Sequence, residues 1–176
     1  VEAHAIGMNK MLAKAVIDLQ SPNAITVKRG EIMQYQKPVI IKPRAGGSTL
    51  GMTKAIDEVS FKKAIEHAFE FADEVMIEDF VKGREFTAGT IEEAGQVIAL
   101  PIVEIIPPDG FFDFDSKYIE GKMAKEICPA EIDNELKERL QQAAIKAHNA
   151  INASHVSRSD FIVDKNDEIW FLEINT

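Results

Sequence analysis

The sequence predicts an α+β fold in which amphipathic helices alternate with antiparallel strands. Short β-branched runs, bounded by proline or by turn residues, recur along the chain and indicate strands. Between them lie longer segments whose apolar residues recur every three or four positions, which is the period of an amphipathic helix. The chain has 176 residues, 45% of them hydrophobic, which is enough for one domain or two small lobes with a substantial core.

The first part of the chain is predicted to contain one helix and two strands. Residues from Met8 to Leu19 have the spacing of an amphipathic helix, and residues 24–27 are expected to form a short strand. Residues 38–43, a β-branched run bounded by prolines, indicate a short buried strand. Its only charged residue is Lys42, which either extends to water or reaches an anion.

A second helix and a group of strands are predicted in the middle of the chain. Ser60 is expected to cap the helix, whose apolar face includes Phe61 and Phe69. Strands are then expected at 74–78, 84–91 and 96–106, the last interrupted at Pro101, with a hinge-like connector at 79–83. Antiparallel strands at this spacing favour a meander.

The chain is predicted to end with a helix and a β-hairpin. Asp133 is expected to cap a helix that extends to Ile151. Two β-rich runs, 161–163 and 169–172, flank a polar cluster with the composition of a turn, so the hairpin is expected to fold back near Asn166 and Asp167.

Two carboxylates and an amide are expected to meet at the open end of this hairpin. If the strands pair symmetrically about the turn, Asp160 lies opposite Glu173, and Asn175 lies on the same face as Glu173. Hard oxygen ligands of this kind suit Mg²⁺. Two alternatives remain open at this point. The two acids could be ordinary polar flanks of strands, and Arg158 could pair with Asp160 as a structural salt bridge.

A glycine-rich segment, 44–51, follows the strand that contains Lys42. Glycines let the backbone approach a ligand closely and point successive amide groups at one anion. The segment matches neither the Rossmann fingerprint nor the P-loop. It is therefore either a phosphate-binding loop or a mobile turn, and its position after Lys42 favours phosphate.

Charge and cysteine content exclude several classes of protein. A net charge of −9 argues against a surface that grips nucleic acid. The single cysteine, Cys128, excludes an internal disulfide, and no apolar run approaches the ~20 residues that span a bilayer. The sequence therefore predicts a cytoplasmic protein with no membrane partner. The chain starts without methionine, and we expect it to be part of a longer protein.

Six motifs occur in order across nearly the whole chain. They are Met8-Asn-Lys10; Ile41-Lys-Pro43 with Gly46-Gly-Ser-Thr-Leu-Gly51; Ile77-Glu-Asp-Phe80 with Gly83-Arg-Glu-Phe-Thr87; Asp115-Ser-Lys-Tyr118; Cys128-Pro-Ala130; and Arg158-Ser-Asp160 followed by Phe171-Leu-Glu-Ile-Asn-Thr176. With these motifs the sequence resembles the D-alanine–D-alanine ligase family of the ATP-grasp superfamily. The resemblance implies two α+β lobes whose antiparallel sheets clasp a nucleotide. Residues 1–80 would form the central lobe, and residues 81–176 the C-terminal lobe.

The resemblance also implies a nucleotide site. In the family, two lysines contact ATP phosphates, the glycine-rich loop closes over the nucleotide, a strand and its hinge hold adenine, and a glutamate meets the ribose. The matching residues here are Lys10, Lys42, Gly46, Gly47, Ser48, Glu78, Asp79, Phe80, Val81, Glu85 and Lys117.

Metal ligands and catalytic residues are implied in the same way. Asp160, Glu173 and Asn175 match the ligands of two Mg²⁺ or Mn²⁺ ions, with Glu173 between them. The remaining implied residues surround the reacting groups. Arg158 would stabilise the oxyanion of the tetrahedral intermediate, Lys117 and Tyr118 lie on the loop that covers the site, and Tyr118 bonds to Ser48.

The implied reaction is ATP-dependent ligation of two D-alanines through an acyl phosphate, for peptidoglycan precursors. Phosphoryl transfer to a carboxylate gathers anions, so cations and amide groups must neutralise the developing charge. Tyr118 favours a dipeptide over an ester product, since ester-forming relatives tend to lack it. The alternatives are another ATP-grasp carboxylate–amine ligase and a nucleotide-binding module without turnover. D-alanine and ATP are the expected partners, and the full-length parent is expected to be a homodimer.

The sequence departs from the family pattern in three places. The N-terminal domain that supplies substrate-binding residues is absent, as is the Pro-Gly-Met-Thr segment that normally follows Asn-Thr. The stretch between Lys10 and Pro38 is shorter than usual. We therefore expect most of the nucleotide and metal site but no D-alanine pocket, and no ligation by this chain alone.

Overall fold

The computed structural model describes residues 2–45, 50–107 and 124–176. Within these ranges the helices are α1 (Glu2–Met8), α2 (Lys10–Ile17), α3 (Glu58–Phe69) and α4 (Asn134–Ala150). The strands are β1 (Ala24–Lys28), β2 (Val39–Pro43), β3 (Thr53–Ala55), β4 (Glu74–Asp79), β5 (Gly83–Glu93), β6 (Gln96–Ala99), β7 (Val103–Ile106), β8 (Lys125–Ile127), β9 (Val156–Asp164) and β10 (Ile169–Asn175). None of the described helices is both long enough and apolar enough to cross a membrane.

The strands form two sheets in which every described pairing is antiparallel. The four-stranded sheet has the order β1-β4-β2-β3, and the second sheet has the order β10-β9-β5-β7-β8 with β6 also paired to β5. Strand β2 is buried along its whole length, as its β-branched residues predict. The α+β prediction is confirmed, and the strands expected at 24–27, 38–43 and 74–78 are all present.

Each sheet has its own apolar core. The first core packs α3 against the four-stranded sheet and includes Ile41, Phe61 and Ile77. The second packs α4 against the larger sheet and includes Phe86 and Phe161. The four-stranded sheet lies within residues 24–79, which are part of the range 1–80 expected to form one lobe. Helices α1 and α2 instead pack on β10, and Ala13 and Ile17 belong to the second core.

The helix predicted from Met8 to Leu19 corresponds to α2, which begins only at Lys10 and ends at Ile17, and the sequence did not predict the separate helix α1 that precedes Asn9. Asn9 has an extended backbone, and its side-chain oxygen accepts a hydrogen bond from the Leu12 amide at 3.2 Å. A side-chain acceptor of this kind satisfies one of the free amides at the start of a helix, so a new helix begins at Lys10. The apolar face predicted from the spacing, which includes Met8, Leu12 and Val16, is wrong. These three side chains are exposed, and the helix buries Ala13 and Ile17 instead.

The start of α3 also differs from the prediction. Asp57, and not Ser60, caps this helix. The Asp57 carboxylate accepts a hydrogen bond from the Ser60 amide at 2.7 Å, and the Ser60 hydroxyl accepts one from the Asp57 amide at 3.1 Å. This is a capping box, in which the third helical residue returns the bond of the cap. The apolar face toward Phe61 and Phe69 is as predicted.

The predicted meander is wrong, because β4 pairs with β1 and β2 in the four-stranded sheet whereas β5 belongs to the larger sheet. The run expected at 96–106 is present as β6 and β7. Both strands lie along the same edge of β5, with Ala99 opposite Thr90 and Val103 opposite Thr87. The break predicted at Pro101 is present, since proline has no amide to continue the ladder. Ile102 turns into the second core. The segment is thus one interrupted hairpin, and it leaves the other edge of β5 to β9.

Candidate functional site

The C-terminal hairpin brings Asp160 opposite Glu173 as predicted, but the pairing is not symmetric about the turn, since Phe171 lies opposite Phe161. Asp160 on β9 pairs with Glu173 on β10, and Asn175 pairs with Arg158. The chain folds back where expected, since the Asp164 amide donates to the Glu168 carbonyl at 3.1 Å and Asp167 has a φ of 59°. A shift of register between Phe171 and Glu173 accommodates the pairing. Two acidic residues therefore oppose each other at the open end of the hairpin.

The Asp160 carboxylate accepts hydrogen bonds from three neighbouring side chains. Thr87 Oγ1 donates at 2.6 Å, Asn175 Nδ2 at 3.4 Å, and Arg158 donates through Nε and Nη2 at 3.1 and 3.0 Å. Burial raises the pKa of Asp160, Arg158 counters this, and Glu173 adds to it, so that the pKa remains above its usual value. The salt bridge considered as an alternative for Arg158 is thus present in the fold.

These residues fit a divalent cation of the hard type. Asp160, Glu173 and Asn175 offer carboxylate and amide oxygens, which Mg²⁺ and Mn²⁺ prefer. Burial, and after it Glu173, keeps the pKa of Asp160 raised, and a bound cation would stabilise its ionised form. Among the residues that the structure describes, no group of three or more His, Cys, Asp or Glu side chains could hold a metal, which leaves no described site of the zinc type.

Three buried charges meet between the four-stranded sheet and α2. Lys42 on β2 donates to Glu78 Oε1 on β4 at 2.9 Å, and Lys14 Nζ on α2 lies 2.8 Å from Glu78 Oε2. Burial opposes ionisation of Glu78, but Lys42 and Lys14 outweigh it and lower its pKa. Lys42 therefore does not extend freely to water. It is held in a fixed position at the wall of a cavity.

Sequence reasoning assigned no role to Lys14. The one indication in the sequence was that Lys14 lies four residues after Lys10, which places the two side chains next to each other on one helix face. Spacing alone could not reveal Glu78 as its partner, because that contact joins residues 64 positions apart in different elements.

The connector between the sheets is held from several sides. The Asp79 carboxylate accepts hydrogen bonds from Lys37 Nζ at 2.7 Å and from Asn23 Nδ2 at 3.3 Å. The ammonium group of Lys54 lies 3.6 Å from the centre of the Phe80 ring. Gly83 begins β5 so close to β9 that a Cβ there would lie 2.2 Å from the Val163 carbonyl oxygen. The hinge-like connector predicted at 79–83 is therefore tightly packed where it enters β5.

A second ion pair beside Glu85 was not predicted. Arg84 binds Glu104 through two parallel hydrogen bonds of 2.7 and 2.8 Å, and donates a third to the Glu131 carbonyl at 3.2 Å. Two-point contacts between guanidinium and carboxylate are among the stronger polar interactions. They fix β5 against β7 at the point where Glu85 faces the cavity.

A cavity of about 600 Å³ lies between the two sheets. The predicted site residues that line it are Lys10, Lys42, Glu78, Asp79, Phe80, Val81, Glu85, Asp160 and Glu173. Arg158 and Asn175 adjoin it through their hydrogen bonds to Asp160. Gly46, Gly47, Ser48, Lys117 and Tyr118 lie outside the described residues. The fold thus brings the basic and acidic candidates to one cavity, while their individual roles remain predictions.

Two antiparallel sheets that enclose such a cavity define an ATP-grasp fold. The family follows from the sequence. Residues 5–176 match the family described as D-ala D-ala ligase C-terminus, and the chain belongs to that family. The resemblance seen in the six motifs is thereby confirmed.

Relatives and solved structures agree with this assignment. The chain is 36% identical to a D-alanine–D-alanine ligase of Geobacter sulfurreducens over 185 residues, which cover 100% of this chain and 57% of the relative. It is 41% identical to one of Halalkalibacterium halodurans over 141 residues, 79% of this chain and 46% of the relative. The chain therefore spans about half the length of these curated relatives.

Two crystal structures show the same architecture. The VanG D-Ala:D-Ser ligase from Enterococcus faecalis superposes with a TM-score of 0.83 at 31% identity, covering 99% of this chain and 54% of the other. D-alanyl-alanine synthetase A from Vibrio cholerae superposes with a TM-score of 0.84 at 25% identity, covering 99% and 57%. The similarity extends over both sheets.

Proposed function

We propose that this chain is the nucleotide- and metal-binding part of an enzyme that joins two D-alanines into D-alanyl-D-alanine, for peptidoglycan precursors. The reaction would proceed through an acyl phosphate made from ATP, in the cytoplasm, in a homodimeric parent protein. One observation carries the proposal: the family match spans residues 5–176, and the same residues bring a basic and an acidic wall to one cavity.

The basic wall would bind the nucleotide. Lys10 and Lys42 are buried residues that line the cavity, where a lysine ammonium is attractive to phosphate oxygens. The Asp79 carboxylate is occupied by Lys37 and Asn23, so the connector would offer adenine its main-chain groups and the apolar side chains of Phe80 and Val81. Glu78 would contact the base and Glu85 would meet the ribose.

Asp160, Glu173 and Asn175, which form the acidic wall, would hold two Mg²⁺ or Mn²⁺ ions. Bound ions would neutralise the charge of the reacting phosphates. Arg158 keeps its guanidinium beside Asp160 and would stabilise the oxyanion formed when the second amino acid attacks. The remaining proposed catalytic residues are Ser48, Lys117 and Tyr118.

The reaction is tested by joining this chain to the part of the Geobacter sulfurreducens ligase that it does not cover. The expected result is phosphate release that requires ATP and D-alanine, with D-alanyl-D-alanine identified by mass spectrometry. ATP binding without phosphate release would contradict the proposal and support the alternative, a nucleotide-binding module without turnover.

The second amino acid is a separate question, because the structure of a D-Ala:D-Ser ligase is among the similar ones. We propose D-alanine, and the same assay with D-serine or D-lactate in its place tests the choice. Faster product formation with D-serine would favour a D-Ala:D-Ser ligase. Tyr118 leads us to expect no ester with D-lactate.

A further inference from the structure

Lys14 is a buried lysine that contacts the same carboxylate, Glu78, as Lys42 does. Lys14 Nζ lies 2.8 Å from Glu78 Oε2, and the side chains of the two residues are 9% and 3% exposed. The other carboxylate oxygen, Glu78 Oε1, accepts the hydrogen bond from Lys42 at 2.9 Å. Glu78 Oε2 has no further hydrogen-bond partner among the described residues. The two ammonium groups thus share one carboxylate in a region that water scarcely reaches.

Lys14 does not line the cavity, so it would not contact a ligand bound there. Lys42 and Glu78 line the cavity, whereas Lys14 lies outside its described lining. Lys14 therefore acts on a bound nucleotide without touching it, and its nearest charged neighbour at the cavity wall is Glu78. This arrangement differs from that of Lys10, which lines the cavity itself.

The net charge of Lys42 and Glu78 depends on whether Lys14 is counted with them. A Lys42–Glu78 pair alone has no net charge, and the carboxylate would repel a phosphate as Lys42 attracts it. With Lys14 added, the three groups carry one net positive charge. Charges interact more strongly where water is excluded, so this difference matters most inside the cavity wall. Lys14 thus offsets the one acid that lies beside Lys42.

Lys14 also connects the two sheets. Its ammonium group donates a hydrogen bond to the Phe171 carbonyl on β10 at 3.2 Å, while its ion-pair partner Glu78 belongs to β4. The residue itself lies on α2, which packs on β10. Its charge is therefore held at a fixed place between the walls of the cavity.

We propose that Lys14 is a positioning residue for ATP binding, which neutralises Glu78 so that the charge of Lys42 remains available to the triphosphate. The inference rests on the proposed ATP binding and extends it to a residue that does not touch the nucleotide. It predicts an effect on phosphate recognition, and little effect on recognition of the nucleoside.

The test compares ATP with adenosine, which lacks the phosphates. Affinities are measured by nuclear magnetic resonance titration, which detects millimolar binding. Lys14→Met is expected to weaken ATP binding about tenfold and adenosine binding less than about twofold, because it removes a charge and retains an unbranched side chain. Lys14→Arg retains the charge and should keep the wild-type ratio of the two affinities.

A double variant separates charge from structure. Lys14→Met with Glu78→Gln restores one net positive charge, and it leaves no unpaired buried carboxylate that would hinder folding. Its ratio of ATP to adenosine affinity should return toward that of the wild type. The matched control is Lys146→Met, because Lys146 donates to the Asp18 carbonyl at the end of α2 at 2.6 Å and does not contact Glu78.

Each result decides one question. A wild-type chain that binds no ATP overturns the proposed nucleotide site. If the wild type binds ATP, the role of Lys14 is overturned by equal losses for ATP and adenosine in Lys14→Met. It is also overturned if ATP binding is unchanged in that variant. A double variant whose ratio of ATP to adenosine affinity is no closer to the wild-type ratio than that of Lys14→Met overturns it as well.

Discussion

Glu173 on β10 lies directly opposite Asp160 on β9, so the hairpin places two acidic side chains side by side. Like charges in directly opposed positions destabilise an antiparallel pair. Arg158 and Thr87 compensate on the Asp160 side, yet the pKa of Asp160 remains raised because burial and Glu173 oppose its ionisation. The arrangement costs stability in the absence of a cation, which is the pattern expected of a functional site.

The first prediction follows from this pair. Glu173→Gln should stabilise the metal-free chain by about 0.5 kcal/mol, because it removes one of two opposed charges. The measurement is urea unfolding in EDTA. Glu168→Gln at the turn of the same hairpin is the control, since its side chain is exposed, and it should change stability little. A Glu173→Gln chain less stable than the wild type would contradict the prediction.

The second prediction concerns pH. His148 is 1% exposed, and its Nδ1 lies 3.0 Å from Thr90 Oγ1 and 2.9 Å from Ser157 Oγ. Burial lowers the pKa of His148 from its usual 6.5, although Glu92 and the Ala153 backbone act in the opposite direction. The folded chain therefore favours the neutral imidazole.

The unfolded chain protonates His148 more readily than the folded chain does. The stability that the buried neutral imidazole contributes is therefore fully present above the unfolded pKa. It is lost as the pH falls through 6.5 toward the lowered folded value. The free energy of unfolding should thus decrease as the pH is lowered from about 8 to about 6. His148→Gln keeps a side chain that can bond to both hydroxyls, and its profile should be flatter. Equal slopes in the two proteins would refute the assignment to His148.

The third prediction concerns the start of β5. In Gly83→Ala the new Cβ would lie 2.2 Å from the Val163 carbonyl oxygen and 2.6 Å from Ile162 Cγ2, so β5 must move away from β9. A cost of about 1–3 kcal/mol is expected from such overpacking. ATP affinity should fall as well, since Gly83 lines the cavity.

Gly89→Ala makes the same change on the same strand. There the three atoms nearest the Cβ all belong to the Leu100 side chain, the first at 3.1 Å, and a flexible side chain can shift more easily than a backbone carbonyl. Gly89→Ala should therefore be the milder of the two variants by chemical denaturation. Equal costs would show that contact with the backbone of β9 is not the reason for Gly83.

Much of the fold could be predicted because its signals are local. Alternation and turn residues were enough to bring the segments of Asp160 and Glu173 together, because a hairpin pairs its own strands. The register shift after Phe171, which puts Glu173 directly opposite Asp160, was not predicted. The cap at Asn9 and the cap at Asp57 were missed, since several neighbouring polar residues could serve as caps and only the backbone shows which one does.

The parts of the site that could not be predicted depend on contacts between distant segments. The ion pair of Lys14 with Glu78 joins α2 to β4, and that of Arg84 with Glu104 joins β5 to β7. Nothing in the spacing of these residues indicates a partner. The meander failed for a similar reason, because β4 pairs with the distant strands β1 and β2 and not with its sequence neighbour β5.

The central claim is that the cavity between the two sheets binds ATP together with a divalent cation held by Asp160 and Glu173. Calorimetric titration of the chain with ATP, in Mg²⁺ and in EDTA, tests it most directly when Glu173→Gln is measured alongside. Mg²⁺ is expected to strengthen ATP binding by the wild type, and Glu173→Gln is expected to lose most of this gain. ATP affinity that is the same in EDTA, or a gain from Mg²⁺ that survives Glu173→Gln, would contradict it.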